Sequence, residues 1–205
     1  MNQIKKWIQF IIGLIIVSIG IVLTIKADLG AAPWDVFHIS LTKHINMLTV
    51  GKASQLTGLA VILFSFFIAR IKPTSGTIIN MLLVGFMIDL IMSIIPQPIT
   101  IIYQYIYLIG GIAIVGFGVA VYITAHCGTG PRDSLMMALT KKFNIDIQWI
   151  RSSLELGALI IGYLLGGPVG IGTICIALGI GPMLSISLDL LGSLSNKHSL
   201  AQTDC

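Results

Sequence analysis

The chain has 205 residues, 56% of them hydrophobic and only 10% charged, with twelve Lys and Arg against eight Asp and Glu for a formal net charge of +4. A soluble domain carries roughly 25% charged residues, so this composition excludes a free-standing soluble fold and leaves no room for a separate catalytic domain. The basic residues stand in ones and twos beside apolar runs, with no clustered stripe and no aromatic interleaving. That excludes a nucleic-acid surface and leaves membrane orientation as their role.

In chain order, apolar runs predict membrane spans over residues 8–25, 53–69, 77–95, 106–125, 154–165 with a small-residue extension, and 171–191. A span needs about 20 mostly apolar residues, so the expected fold is an all-α integral membrane protein with about six transmembrane helices. Lys5 and Lys6 precede the first run as in a signal peptide. Its length of about 18 apolar residues exceeds the usual h-region, so it reads as a span of the mature protein. With the N-terminus in the cytoplasm, Lys5, Lys6, Arg70, Lys72, Arg132, Lys141, Lys142, Arg151 and Lys197 fall inside, against Lys26, Lys43 and Lys52 outside. This bias predicts that both termini are cytoplasmic, with residues 192–205 as a polar cytoplasmic tail.

The segment KADLGAAPWDVFHISLTKHIN from Lys26 returns as TAHCGTGPRDSLMMALTKKFN from Thr124, 98 residues later. At the same offset Gly13 matches Gly111, Gly20 matches Gly118, Gly30 matches Gly128, Pro33 matches Pro131, and Asp35 matches Asp133. With two residues deleted, Gly76-Thr77 matches Gly172-Thr173 and Gly85 matches Gly181. Residues of about 8–95 and 106–191 are therefore two copies of one unit within a single membrane domain. Each copy holds three spans, an odd number, so the second enters the membrane upside down: an inverted repeat. Such folds often belong to secondary transporters, although architecture alone does not fix function.

In GAAPWD and GTGPRD a glycine permits a tight turn, proline suits the first helical position, and an aspartate follows in the first turn. Short helices are expected over residues 33–44 and 131–143, each about 18 Å long at roughly 1.5 Å per residue and too short to span. Two readings stay open. The helices lie along the membrane surface, with Val36, Phe37, Ile39 and Leu41 in lipid and Lys43 and His44 in water; or they dip inward as half-helices whose N-termini meet at a ligand. In the second case Asp35 and Asp133 argue against a simple anion site and leave room for a cation- or proton-coupled one.

The pathway candidates are Asp28, Gly30, Pro33, Asp35, His38, Asp89, Gly128, Gly130, Pro131, Arg132 and Asp133. Asp89 stands within an apolar run, where an ionisable group costs at least ~2.5 kcal/mol at mid-helix. The competing account is a carboxylate near the interface, bonded to a neighbouring helix. His38 stands three residues after Asp35, a spacing that suits proton exchange, but its counterpart is Met136. Trp34 and Arg132 occupy equivalent positions, one fit to anchor at the interface and the other to bind an anionic substrate or lipid headgroup. Glu155, four residues after Arg151, fits a helical ion pair, and Asp189 ends the last span near solvent.

Small residues four apart at Ala158, Gly162 and Gly166, Ser54 and Gly58, Gly116 and Ala120, and Ala177 and Gly181 suit close helix packing in lipid. GGPVGIG lacks the lysine and hydroxyl of a phosphate loop and reads as a connection. Cys127, Cys175 and Cys205 are too far apart for a disulfide framework or a metal motif. No catalytic motif stands out, so neither an enzyme nor a cofactor is expected.

The stretches ADLGAAPWDVFH, GTIINMLLVGFMIDL, GTGPRDSLMMALT and GGPVGIGT carry a resemblance to the YczE-like branch of the YczE/YyaS/YitT group of bacterial integral membrane proteins. The resemblance covers about residues 8–191 and implies a multispan protein of the bacterial cytoplasmic membrane. His126-Cys127 departs from it, standing where the first copy has Asp28-Leu29. Together these observations point to a small secondary transporter or permease for a small molecule or ion, its pathway between the repeats. The alternative is a non-transporting membrane protein that serves an assembly or signalling partner. The expected partners are the lipid bilayer and the substrate, with a homodimer that the glycine faces would suit but do not require.

Overall fold

The computed structural model describes residues 2–70 and 72–200, and among these it contains eight helices and no strand. They are α1 (Gln3–Lys26), α2 (Pro33–His44), α3 (Val50–Ala69), α4 (Ser75–Ile94), α5 (Ile101–Ile123), α6 (Pro131–Phe143), α7 (Ile147–Leu164) and α8 (Ile171–Leu200). Five of these, α1, α3, α4, α5 and α8, are long and apolar enough to cross a membrane. The sixth expected span, α7, falls short of that measure. It has only 18 residues and carries Arg151 and Glu155 in its first turns, so its apolar part is confined to the second half. Residues 192–200, expected as the start of a tail, continue α8. Cys205 and the rest of the expected tail lie outside the described residues.

Local chemistry sets the helix ends. α2 and α6 both begin at proline, whose missing N–H is an unused donor in the first turn anyway. Thr49 and Thr74 cap α3 and α4, their side-chain oxygens accepting from Lys52 N and Thr77 N at 3.2 Å each. The turn out of α1 places Asp28 at φ 56° and that out of α5 places His126 at φ 55°. The residue that breaks the family pattern therefore adopts the conformation of its counterpart.

The sequence offset recurs in several of the helix starts and contacts. α2 and α6 start 98 residues apart, and α4 and α8 start 96 apart. α1 and α5 pack antiparallel through reciprocal glycines. A side chain at Gly13 would come within 2.6 Å of Tyr122 N, and one at Gly111 within 2.7 Å of Thr24, the residue equivalent to Tyr122. Likewise Gly20 is apposed to Val115, and Gly118 to Val17. Small residues let the two backbones approach where lipid offers no hydrophobic drive between helices. Two apolar clusters flank this seam, one built on Phe10, Leu14 and Ala125, the other on the equivalent Leu108, Ile112 and Ala27.

The halves also exchange parts. Gly76, at the start of α4, fits against Cys127 and Gly128, while Gly172, at the start of α8, fits against Leu29 and Gly30. α2 of the first half packs on α7 of the second, and α6 packs on α3. The outer faces of α3, α4 and α8 expose large apolar side chains such as Phe67, Phe86 and Leu178, as a lipid-facing surface would.

Candidate functional site

The N-termini of α2 and α6 meet inside the molecule. The Arg132 guanidinium lies over the Trp34 ring, 4.7 Å from its centroid, so the two residues at equivalent repeat positions touch. Around them is a cavity of about 310 Å³ whose wall takes residues from all eight helices. Asp35, His38, Asn80, Arg132, Asp133, Arg151 and Glu155 are among its polar groups, and Leu14, Val17, Ile88, Val115, Ile176 and Ile180 among its apolar ones.

α2 holds its share of the site because it is enclosed by protein. Asp35 is 4% exposed and His38 1%, and Gly162 of α7 lets the α2 backbone at Phe37 come close. A helix lying along the membrane surface would turn its polar face to water; α2 turns that face inward. Its far end is tied to the end of α7, where Lys43 Nζ donates to Gly166 O at 2.6 Å and His44 Nε2 to Leu165 O at 3.1 Å. These basic groups meet the free carbonyls of a helix C-terminus. His38 Nδ1 is 3.5 Å from Asp35 Oδ1, yet neither ring nitrogen makes a hydrogen bond among the described residues.

Of the sequence-derived candidates, Asp35, His38, Gly130, Pro131, Arg132 and Asp133 come together on the cavity wall. Pro33 is buried at the start of α2, where it fixes the entry of the helix. Gly30 and Gly128 shape the turns before the short helices at φ 107° and 140°, conformations that side chains disfavour, and pack against Gly170 and Thr74. Asp28 is exposed at the end of α1. Asp89 stands apart from the cavity. Its Oδ2 accepts from Thr49 Oγ1 at 2.6 Å and its Oδ1 from Gly51 N at 2.8 Å, so it caps the N-terminus of α3 from the neighbouring helix.

Asn80 and the Arg151–Glu155 pair were not among the candidates. The pair closes at 3.1 Å with side chains 57% and 36% exposed, so the cavity reaches the surface beside the first turns of α7. Its i, i+4 spacing disclosed the ion pair but not its place at the mouth. Of the small-residue faces, Gly58, Gly116 and Gly162 make close contacts, whereas Gly181 faces open space. Cys127 and Cys175 are free thiols, and no group of three or more potential metal ligands forms among the described residues.

Comparison with known proteins agrees with the motifs. Residues 4–188 match the model of a family of unknown function, DUF6198. The chain is 40% identical to the uncharacterized membrane protein YczE of Bacillus subtilis (strain 168), over 90% of this chain and 86% of that one. It is 33% identical to an uncharacterized protein of Haemophilus influenzae (94% and 87% covered) and 29% identical to YyaS of Bacillus subtilis (82% and 85%). No solved structure matches. With its apolar helices and family match over nearly its whole length, the chain belongs to the DUF6198 family and is a YczE-like, multispan membrane protein.

Proposed function

We propose that this protein is a small secondary transporter of the bacterial cytoplasmic membrane, its pathway running between two inverted repeats. The observation that carries this reading is the cavity of about 310 Å³, mostly apolar but holding a group of charged side chains, at the meeting point of two repeat-related half-helices. Reciprocal antiparallel packing of α1 and α5 supports the inverted arrangement, in which α7 counts as the sixth span with its charged end at the cytoplasmic surface. Transporters of this kind bind substrate where such half-helices converge between the repeats. A partner protein acting only through its surface would need no such cavity.

The cytoplasmic bias of the basic residues sets the start of α3 outside and the start of α7 inside. In that frame the Asp89 bonds to Thr49 and Gly51 close the outer side. The cavity mouth beside Arg151 opens to the cytoplasm. This is one of the two states that alternating access requires.

The test uses a chain freed of Cys127, Cys175 and Cys205, with single cysteines replacing Ser54 or Leu154, both on the cavity wall. An impermeant maleimide should label both from the cytoplasmic face of oriented vesicles. The absence of labelling from either face would overturn the pathway. A reporter fused after Asn46 and found in the cytoplasm would overturn the orientation.

A further inference from the structure

We propose that the cavity binds a small organic anion at Arg132 and that a proton is taken up with it at the His38–Asp35 pair. This rests on the cavity being the substrate site.

Arg132 is the first observation. Stacking on Trp34 occupies the face of its guanidinium and leaves the N–H groups in its plane. Among the described residues the ion pairs are those of His38 with Asp35 and of Arg151 with Glu155, so no carboxylate lies within 4 Å of Arg132. A planar fork of five donors suits a carboxylate or sulfonate held in two-point fashion. Arg151 has such a partner in Glu155 at 3.1 Å; Arg132 does not. The neighbouring walls are largely aliphatic, which favours an anion with an apolar body.

His38 is the second and independent one. Its ring is 1% exposed, both nitrogens lack a hydrogen bond, and it stands on the cavity wall. An unsatisfied polar group buried to this degree is costly; the one N–H of the neutral ring can face Asp35 Oδ1 from Nδ1, 3.5 Å away, and the additional proton then bonds to Nε2, giving an imidazolium whose charge the Asp35 carboxylate balances.

Charge joins the two. The ionisable groups facing the cavity are Asp35 and His38 on α2, Arg132 and Asp133 on α6, Arg151 and Glu155 on α7, and Tyr122 on α5; α1, α3, α4 and α8 supply none. The Arg151–Glu155 pair cancels, so with neutral His38 the site carries one net negative charge. A bound anion makes it two in a poorly solvated space. One proton from solvent, bonded to an imidazole nitrogen of His38, restores the original charge. Each ligand therefore favours the other, and the coupling is reciprocal. Release of the anion frees the same proton.

The experiment is calorimetric titration of the full-length protein in lipid nanodiscs with benzoate as probe. It is run at pH 7 in two buffers of different ionisation enthalpy, which counts the protons. About one proton taken up per benzoate is expected, with affinity rising from pH 8 to pH 6 as histidine gains its charge. Arg132→Gln should weaken benzoate by at least about tenfold, the loss of a charge-assisted pair. His38→Gln, which keeps size and hydrogen bonding, should bind benzoate without proton uptake or pH dependence. His44→Gln, at the tied end of α2, should retain the uptake. Monodisperse elution of each variant separates these losses from misfolding. No benzoate binding, binding without proton uptake, or unchanged uptake in His38→Gln overturns the inference, while the labelling test of the pathway stands or falls separately.

Discussion

The two seams that ought to be alike in a repeat protein differ. α3 and α4 pack along one another, whereas their equivalents α7 and α8 barely touch among the described residues. The chemistry of the difference is local. In the first half Asp89 receives Thr49 Oγ1 and Gly51 N, and Gln55 Nε2 donates to Leu82 O at 2.8 Å. At offsets of 98 and 96 residues the second half has Ile147, Trp149, Ser153 and Ser185 in place of Thr49, Gly51, Gln55 and Asp89. The carboxylate is gone, and a large indole stands where a glycine let the helices meet. Trp149 is 71% exposed and Ile147 48%. These four positions take away from the second seam the side-chain bonds that join α3 to α4 in the first.

The comparison can be broken first at its carboxylate. Asp89→Asn should lower stability by about 2 kcal/mol, the scale of hydrogen bonds to a charged group. It should also raise labelling of the Ser54→Cys reporter from the outer face. Unchanged thermal stability together with unchanged labelling would mean that the clasp holds nothing. Next in size is transfer of the clasp, by Ile147→Thr, Trp149→Gly and Ser185→Asp together. Labelling of Leu154→Cys from the cytoplasmic face should drop about tenfold, equivalent to about 1.4 kcal/mol. Full labelling would show that the gap between α7 and α8 has another origin. The smallest effect sharpens the contrast. Arg151→Gln removes an exposed ion pair and should shift stability by less than about 0.5 kcal/mol, read from the same thermal melts.

Much of the architecture was legible because proline and glycine punctuate it. Both short helices begin and end where the sequence placed them, Pro33–His44 and Pro131–Phe143. α7 was harder. Apolar content marked its second half, but the charged first turns belong to the same helix and carry the mouth of the cavity. The repeat also held more of the site than its motifs did. Residues near an axis relating two halves are brought face to face, and Trp34 with Arg132 is such a pair. For Asp89 the competing account, a carboxylate near the interface bonded to a neighbouring helix, is the one the structure shows; what the apolar run could not name was its partners. Those partners, Thr49 and Gly51, are 40 and 38 residues earlier on another helix. Gly181 shows the opposite failure: a spacing that suits packing creates none where no helix comes near.

The exchanged starts of α4 and α8 bear on how the chain is made. Gly172 N donates to Leu29 O at 2.7 Å, and Ala31 N donates to Pro168 O at 3.3 Å. Beyond local bonds such as Asp28 N to Ile25 O, the first motif loop thus finds partners in residues synthesised some 140 positions later. During translation Leu29 O and Ala31 N therefore lack these two partners until the start of α8 has been made. A chain stopped before Gly172 would leave Leu29 O without the Gly172 N–H that meets it here, so the join between the two motif regions is made late in synthesis.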